Sequence, residues 1–242
     1  MTPPARPARP ALSGPPPAGV VVDLDDTVYP QAAYLLGAAA AVGATAAAAG
    51  LDGVAVEQAL AAELRAGSDR GRTIDRALAA CAVPPDRIAA LLPALVAAFV
   101  GHRPQHLSLY PGAADALAAL RARYPLACLT DGDPAIQRAK LGATGVDALV
   151  DVVVVTDELG GRGLRKPHPA GLLRIADLLG VPPADLVVIG DRPAKDVAVA
   201  TAVGARSIRV RTGEYADAAD DPAATALAPD LAAAVALLLP DT

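Results

Sequence analysis

The stretch that most constrains this chain is Val20-Val21-Val22 followed at once by Asp23-Leu24-Asp25-Asp26-Thr27. Three β-branched apolar residues in a row read as a strand buried on both faces, as strands of a parallel sheet are. Three carboxylates then stand at its carboxyl end, the edge at which open α/β sheets bind ligands. Alternation along an extended chain would turn Asp23 and Asp25 to one side and Asp26 to the other. Like charges held that close need a cation or a shared proton to offset them. A solvated turn capping the next helix would explain the same residues, because Asp and Thr are favoured in turns and at N-caps. The rest of the chain decides between the two.

Beyond Thr27 the pattern becomes helical and stays so. Segments near Gln31–Ala49, Val54–Ala66, Arg72–Cys81, Pro85–Leu92 and Pro93–His102 are rich in Ala and Leu, with Gly and Pro between them. The turn Tyr110-Pro111-Gly112 opens a helix over Ala113–Arg123. From there strands Leu126–Thr130, Val150–Thr156, Leu186–Gly190 and Ser207–Arg211 alternate with helices near Pro134–Leu141, Ala170–Gly180 and Ala194–Val203, and Leu231–Leu239 closes the chain. Strands spaced by helices of this size make right-handed βαβ units, so the expected class is α/β with a parallel sheet covered on both faces. An all-helical insertion, roughly Pro30 to Leu109, separates the first strand from its partners. Thr212–Pro229, with Glu214, Asp217, Asp220 and Asp221, reads as a solvated loop.

Composition narrows the function. The chain is 53% hydrophobic with one Phe and no Trp, so its core must be built from Ala, Val and Leu. A net charge of −5 and no Lys/Arg run argue against nucleic acid as a partner. Lys occurs only at 140, 166 and 195, and in a chain that otherwise prefers Arg a remaining Lys suggests a need for the compact ammonium. Cys81 and Cys128 lie in apolar runs, which fits buried free thiols in a reducing, cytoplasmic compartment better than a disulfide. Residues 1–18 are Pro-rich without an apolar h-region, and are expected to be a disordered tail and not a signal peptide. Thr27–Leu51 carries no charge and is long enough to span a bilayer. It is mostly Ala with several Gly, so its transfer free energy is poor; a buried helix and no membrane partner are expected.

Four polar positions fall at or just after predicted strand ends: Asp23/Asp25, then Thr130 with Asp131-Gly132, then Lys166 in Arg165-Lys166-Pro167, then Gly190-Asp191 with Asp196. Each has a plain reading. Thr130 would cap a helix, Lys166 would be solvated in a turn, and Asp191 and Asp196 would flank a helix amino end. A parallel sheet brings all four to one edge, and there the charges make sense around a phosphate. A carboxylate can attack phosphorus, Mg²⁺ and Lys offset the repulsion between carboxylates and phosphate, and a second carboxyl can move the leaving-group proton.

Asp23-Leu24-Asp25-Asp26-Thr27, Thr130, Lys166-Pro167 and Gly190-Asp191 with Asp196 resemble the four ordered motifs of the haloacid dehalogenase-like hydrolase superfamily, from about Val20 to Arg211. The resemblance implies a Rossmann-like core, 19–29 and 110–242, with a helical cap, 30–109, inserted between the first and second motifs. It implies Asp23 as nucleophile and Asp25 as general acid/base. Thr130, Asp131 and Lys166 would line the phosphate site. Mg²⁺ would be held by Asp23, the Asp25 carbonyl and Asp191, with Asp196 as a ligand or orienting partner. A carboxylate at Asp25, which the dehalogenases lack, favours phosphoryl transfer over carbon–halogen cleavage. Two departures are Asp131 where many relatives carry Asn, and Val22 where Phe often precedes the nucleophile.

The function so implied is a Mg²⁺-dependent phosphatase acting on a small phosphomonoester. The alternatives are a phosphomutase or other phosphotransferase using the same aspartyl-phosphate, and a non-catalytic phosphate-sensing module. Arg65, Arg70, Arg72, His102, Arg103 and His106 are cap candidates for substrate selection, each equally readable as a solvent-facing helix residue; Tyr29 is expected to line the entrance. An apolar Ala-rich cap helix offers a face to a second copy, so a homodimer is among the expected states.

Overall fold

The computed structural model describes residues 12–239. Its elements begin β1 (Gly19–Val22), α1 (Gln31–Ala48), α2 (Gly53–Arg65), α3 (Thr73–Ala80), α4 (Pro85–Val100) and α5 (Ala113–Arg121). They continue β2 (Leu126–Thr130), α6 (Pro134–Thr144), α7 (Val146–Leu149), β3 (Val152–Val155) and α8 (Ala170–Leu179). The chain ends β4 (Leu186–Gly190), α9 (Ala198–Ala202), β5 (Arg206–Val210), β6 (Ala226–Ala228) and α10 (Leu231–Leu238). Within the described residues there are two compact units. One runs to Tyr29 and resumes over Leu109–Gly132 and from Gly145 onward; the other is Pro30–Ser108 with Asp133–Thr144.

The first unit is a six-stranded sheet in the order β3-β2-β1-β4-β5-β6, every pairing parallel. Val21 aligns with Ala127 on one side and Val188 on the other. Every residue of β1, β2 and β4 is buried, which is why these strands are uniformly apolar. Val21, Ala127, Leu129, Val154 and Val188 pack under Leu172 and Ile175 of α8 and Val199 and Ala200 of α9; α10 lies against α5, β5 and β6. Successive strands step outward from β1 through β2 to β3, and from β4 through β5 to β6. The order therefore reverses between β1 and β4, the kind of point beyond whose strand carboxyl ends open α/β sheets bind ligands.

The second unit is helical. Ala39, Val42 and Ala46 of α1 meet Val56 and Leu60 of α2, Leu78 of α3 and Leu95 of α4 in one apolar cluster. The α1–α2 crossing is close because both helices offer glycine: a Cβ on Gly53 would lie 2.4 Å from the Gly43 carbonyl oxygen. By length and composition alone α1 could cross a membrane, but here one of its faces lines this cluster. Helix α6 belongs with these helices and not with the sheet it follows in sequence. The Leu107 N–H donates to the Ala143 carbonyl at 2.9 Å, and Lys140 Nζ sits 4.9 Å from the centre of the Tyr34 ring.

Four sequence expectations are corrected. Pro93 does not divide two helices: α4 runs through it, because Leu91, Leu92, Leu95, Ala98 and Phe99 on either side share one packed face, which offsets the missing hydrogen bond. Segment 212–229 is not all loop, since Ala226–Ala228 pairs with the edge of β5. The tail ends earlier than residue 18. Arg206 donates to the carbonyls of Ser13 and Pro15 at 2.9 and 2.6 Å, and the Ala18 N–H donates to Asp185; residues 1–11 lie outside the described residues. Cys81 is only half-buried, although both cysteines are free thiols.

Candidate active site

β1 ends at Val22, but Asp23 still donates its N–H to Ile189 at 2.9 Å, so the pairing with β4 carries it to the sheet edge. The chain then folds back on itself. The Val28 N–H reaches the Leu24 carbonyl at 3.1 Å and the Asp26 N–H reaches that of Tyr29 at 2.9 Å. Asp26 takes a left-handed conformation, φ 57°, which Asp tolerates better than most residues. The simple alternation expected along Asp23–Asp26 therefore stops at this turn. The Asp26 carboxylate accepts from the Glu214 N–H at 3.1 Å and its carbonyl from the Thr212 hydroxyl. Gly213, φ 65°, packs so tightly on it that a Cβ there would lie 2.0 Å from Asp26 Cγ.

Lys166 joins the charges. Its Nζ lies 2.6 Å from Asp23 Oδ1, 2.6 Å from Asp196 Oδ1 and 3.3 Å from the Leu129 carbonyl. Two devices hold its loop. Arg165 forks onto both oxygens of Asp157, each at 2.6 Å, and the Lys166 N–H donates to Asp131 Oδ1 at 3.0 Å. That same oxygen accepts from Thr156 Oγ1 at 2.9 Å, while Lys195 Nζ lies 3.6 Å from Asp131 Oδ2. The Asp131 side chain is thus engaged in fixing the Lys166 loop. Thr130, fully buried, ends β2 beside it.

After β4, a π-helical turn over Pro193–Val197 carries Asp196 back across Gly190, a distortion common at functional sites. A Cβ on Gly190 would stand 2.3 Å from Asp196 Cγ, so the crossing requires glycine. Asp196 Oδ2 accepts from the Arg192 N–H at 3.0 Å, and its other oxygen faces Lys166. Asp191 is fully buried, and neither of its carboxylate oxygens has a hydrogen-bond partner. One oxygen from each of Asp23, Asp191 and Asp196 lies within 4.8 Å of the others.

The electrostatics follow from this crowding. Burial, then Asp196 and Asp25, push Asp23 up to about 7 against the opposing pull of Lys166. Burial, then Asp196 and Asp23, push Asp191 up to about 9. For Lys166 burial works against the charge, but Asp196, Asp23 and Asp131 outweigh it and hold the ammonium well above the ordinary lysine range. A buried carboxylate with two unsatisfied oxygens is costly unless a cation meets it. All-oxygen ligands suit a hard divalent ion such as Mg²⁺. Asp23, Asp191 and Asp196 therefore fit a metal ion, whereas the Asp25 carboxylate lies outside that trio and accepts from the Tyr29 hydroxyl at 2.6 Å.

Of the cap candidates, Arg72 pairs with Asp75 at 3.3 Å, Arg103 donates to the Val100 and His102 carbonyls, and His106 meets Ser108 at 3.3 Å, all local contacts within the helical unit. His102 sits 5.2 Å from the Tyr34 ring; Arg65 and Arg70 are exposed. Tyr29 is buried and does not line an entrance. Sequence reasoning missed Arg209, a fully buried guanidinium that donates to the carbonyls of Asp191, Tyr215 and Ala218 and pairs with Asp220. Little in the sequence signalled it, because its strand, Arg206-Ser207-Ile208-Arg209-Val210, mixes charged, polar and apolar residues. Nothing in the sequence marked Gly213.

The haloacid dehalogenase-like hydrolase profile matches residues 17–204, and the chain belongs to that family. It is accordingly an enzyme of the hydrolase class. It is 31% identical over 204 residues to a glyceraldehyde 3-phosphate phosphatase of Methanopyrus kandleri, covering 82% of this chain and 85% of that one. It is 39% identical over 136 residues to the plasmid-encoded phosphoglycolate phosphatase of Cupriavidus necator, covering 55% of this chain and 57% of that protein. A crystal structure of a family hydrolase from Deinococcus radiodurans with bound phosphate and sodium superposes with a TM-score of 0.61 at 26% identity, covering 93% of this chain and 97% of the other.

Proposed function

We propose that this chain is a Mg²⁺-dependent phosphatase that hydrolyses a small phosphate monoester through an aspartyl-phosphate on Asp23. The observation that carries the reading is Lys166 Nζ at 2.6 Å from both Asp23 and Asp196, with the unpartnered Asp191 carboxylate beside them. Phosphatases among the relatives support the same substrate class.

Asp23 Oδ attacks phosphorus as the ester P–O bond breaks. Asp25, half-buried at the same edge, gives its proton to the departing alkoxide, so the alcohol leaves neutral. Water then attacks the phosphorus, Asp25 takes a proton from it, and the Asp23–phosphorus bond breaks to release phosphate and restore the carboxylate. Lys166 and the Thr130 hydroxyl meet phosphoryl oxygens. Asp131 serves that site through the loop it anchors. Mg²⁺ held by Asp23, Asp191 and the Asp25 carbonyl, with Asp196 as ligand or orienting partner, would supply charge that offsets phosphate against carboxylates. The two free thiols, Cys81 and Cys128, support a reducing and hence cytoplasmic setting.

The test is phosphate release from sugar phosphates, nucleotides and short acyl phosphates, with Mg²⁺, with chelator and with Asp23→Asn. Turnover that requires both the metal and Asp23 is the expected result. Activity that survives Asp23→Asn overturns the assignment. Transfer to a second hydroxyl without phosphate release would point instead to a phosphotransferase.

A further inference from the structure

We infer that Tyr29 is a positioning residue for the acid/base step, acting through Asp25; this rests on the phosphatase reading. The Tyr29 hydroxyl donates to Asp25 Oδ1 at 2.6 Å, at the short end of the O–H···O range. Tyr29 is fully buried, and a buried tyrosine hydroxyl ordinarily has such a partner. The contact is also built into the backbone. Asp25 and Tyr29 face each other across an isolated β-bridge, and the Asp26 N–H closes the turn on the Tyr29 carbonyl at 2.9 Å. On the other side, the Tyr110 N–H clamps the Val28 carbonyl at 2.9 Å. These bonds hold the two main chains side by side, and the full burial of Tyr29 limits the room its ring has to turn away.

The chemical consequence is specific. With Oδ1 held by the phenol, Asp25 keeps Oδ2 as the oxygen that carries the proton to the leaving group and later takes one from water. A carboxyl free to rotate would present either oxygen in many orientations, and proton transfer demands hydrogen-bond geometry at the reacting atom. The effect must therefore grow with the basicity of the leaving oxygen. An alkoxide needs the proton as it departs, whereas p-nitrophenolate leaves without one.

The experiment compares kcat/KM for an alkyl phosphate and for p-nitrophenyl phosphate in wild type, Tyr29→Phe, Asp25→Asn and the double variant. This parameter stops at the first irreversible step, so slow hydrolysis of the phosphoenzyme does not enter. The ratio of the two substrates is also independent of the folded fraction, which covers any loss of stability in Tyr29→Phe. The alkyl-to-aryl ratio is expected to fall about tenfold or more in Tyr29→Phe, and the further effect of Tyr29→Phe is expected to vanish in the Asp25→Asn background. An unchanged ratio, or a drop that persists undiminished without the Asp25 carboxyl, overturns the inference. If wild type hydrolyses neither ester, or Asp23→Asn hydrolyses both, it is the phosphatase reading that falls, and the Tyr29 role with it.

Discussion

The carboxyl edge of the sheet and the core of the helical unit are both buried, but they are built of opposite materials. At the edge, Asp23, Asp191, Asp196 and Lys166 are nearly inaccessible to solvent. The helical core is Ala39, Val42, Leu60, Leu78 and Leu95, with glycine where α1 and α2 cross. Buried apolar groups stabilise in proportion to the area they remove from water. Buried charges lose hydration and recover it only with partners or an ion. The helical core is thus explained by folding alone, whereas at the sheet edge Lys166 meets Asp23 and Asp196 and leaves Asp191 with no hydrogen-bond partner, a burial cost that a cation would offset.

The largest separation between the two regions should come from Asp23→Asn, which is expected to lower kcat on the order of 10³-fold or more while leaving thermal unfolding cooperative. Comparable inactivation by a packing variant in the α1–α2 crossing would break the distinction. Next is the metal. Asp23 and Asp191 have folded values raised to about 7 and about 9, above the ordinary carboxylate value of about 4. Their contribution to stability is therefore complete below about pH 4 and is lost as pH rises towards about 9, because the unfolded chain ionises them first. Mg²⁺ binds the ionised carboxylates, so the rise in melting temperature on adding it should be larger at about pH 8.5 than at about pH 6. At roughly 100-fold its dissociation constant the gain is about 2.7 kcal/mol. A Mg²⁺ shift that shrinks with pH would refute the cluster as a cation site.

Three glycines sharpen the comparison further. Gly190→Ala drives a Cβ into Asp196 and should cost about 1–3 kcal/mol together with the Mg²⁺ protection. Gly53→Ala meets a backbone carbonyl instead; denaturant melts should show a loss of about 1–2 kcal/mol with the Mg²⁺ shift unaltered. Gly142→Ala, on exposed α6 surface with nothing within 4 Å, should stabilise by about 0.5–1 kcal/mol. If all three behave alike, close packing is not what sets these positions apart.

Much of this architecture was legible beforehand, since uniformly apolar runs such as Leu126–Thr130 and Leu186–Gly190 can be buried strands only in a sheet covered on both faces. The convergence of the charged side chains was legible for a related reason: a parallel sheet carries every strand end to one edge, so Asp23, Lys166, Asp191 and Asp196 come together whatever their distance in sequence. What lay beyond reach depended on contacts between segments with no local signature. The continuity of α4 through Pro93 came from shared packing on one face, and the short strand β6 from the open edge of β5.

The chain's residue pattern by itself determined the α/β class, the helical insertion and the set of charged groups, because burial and periodicity act over neighbouring residues. Only tertiary structure decided how those groups are used. It turned Asp131 towards the Lys166 loop, closed Tyr29 onto Asp25, and left Asp191 as a buried carboxylate without a hydrogen-bond partner. The reason is that hydrogen bonds and unpaired charges are settled by distances between residues far apart in sequence, and those distances exist only once the sheet has formed.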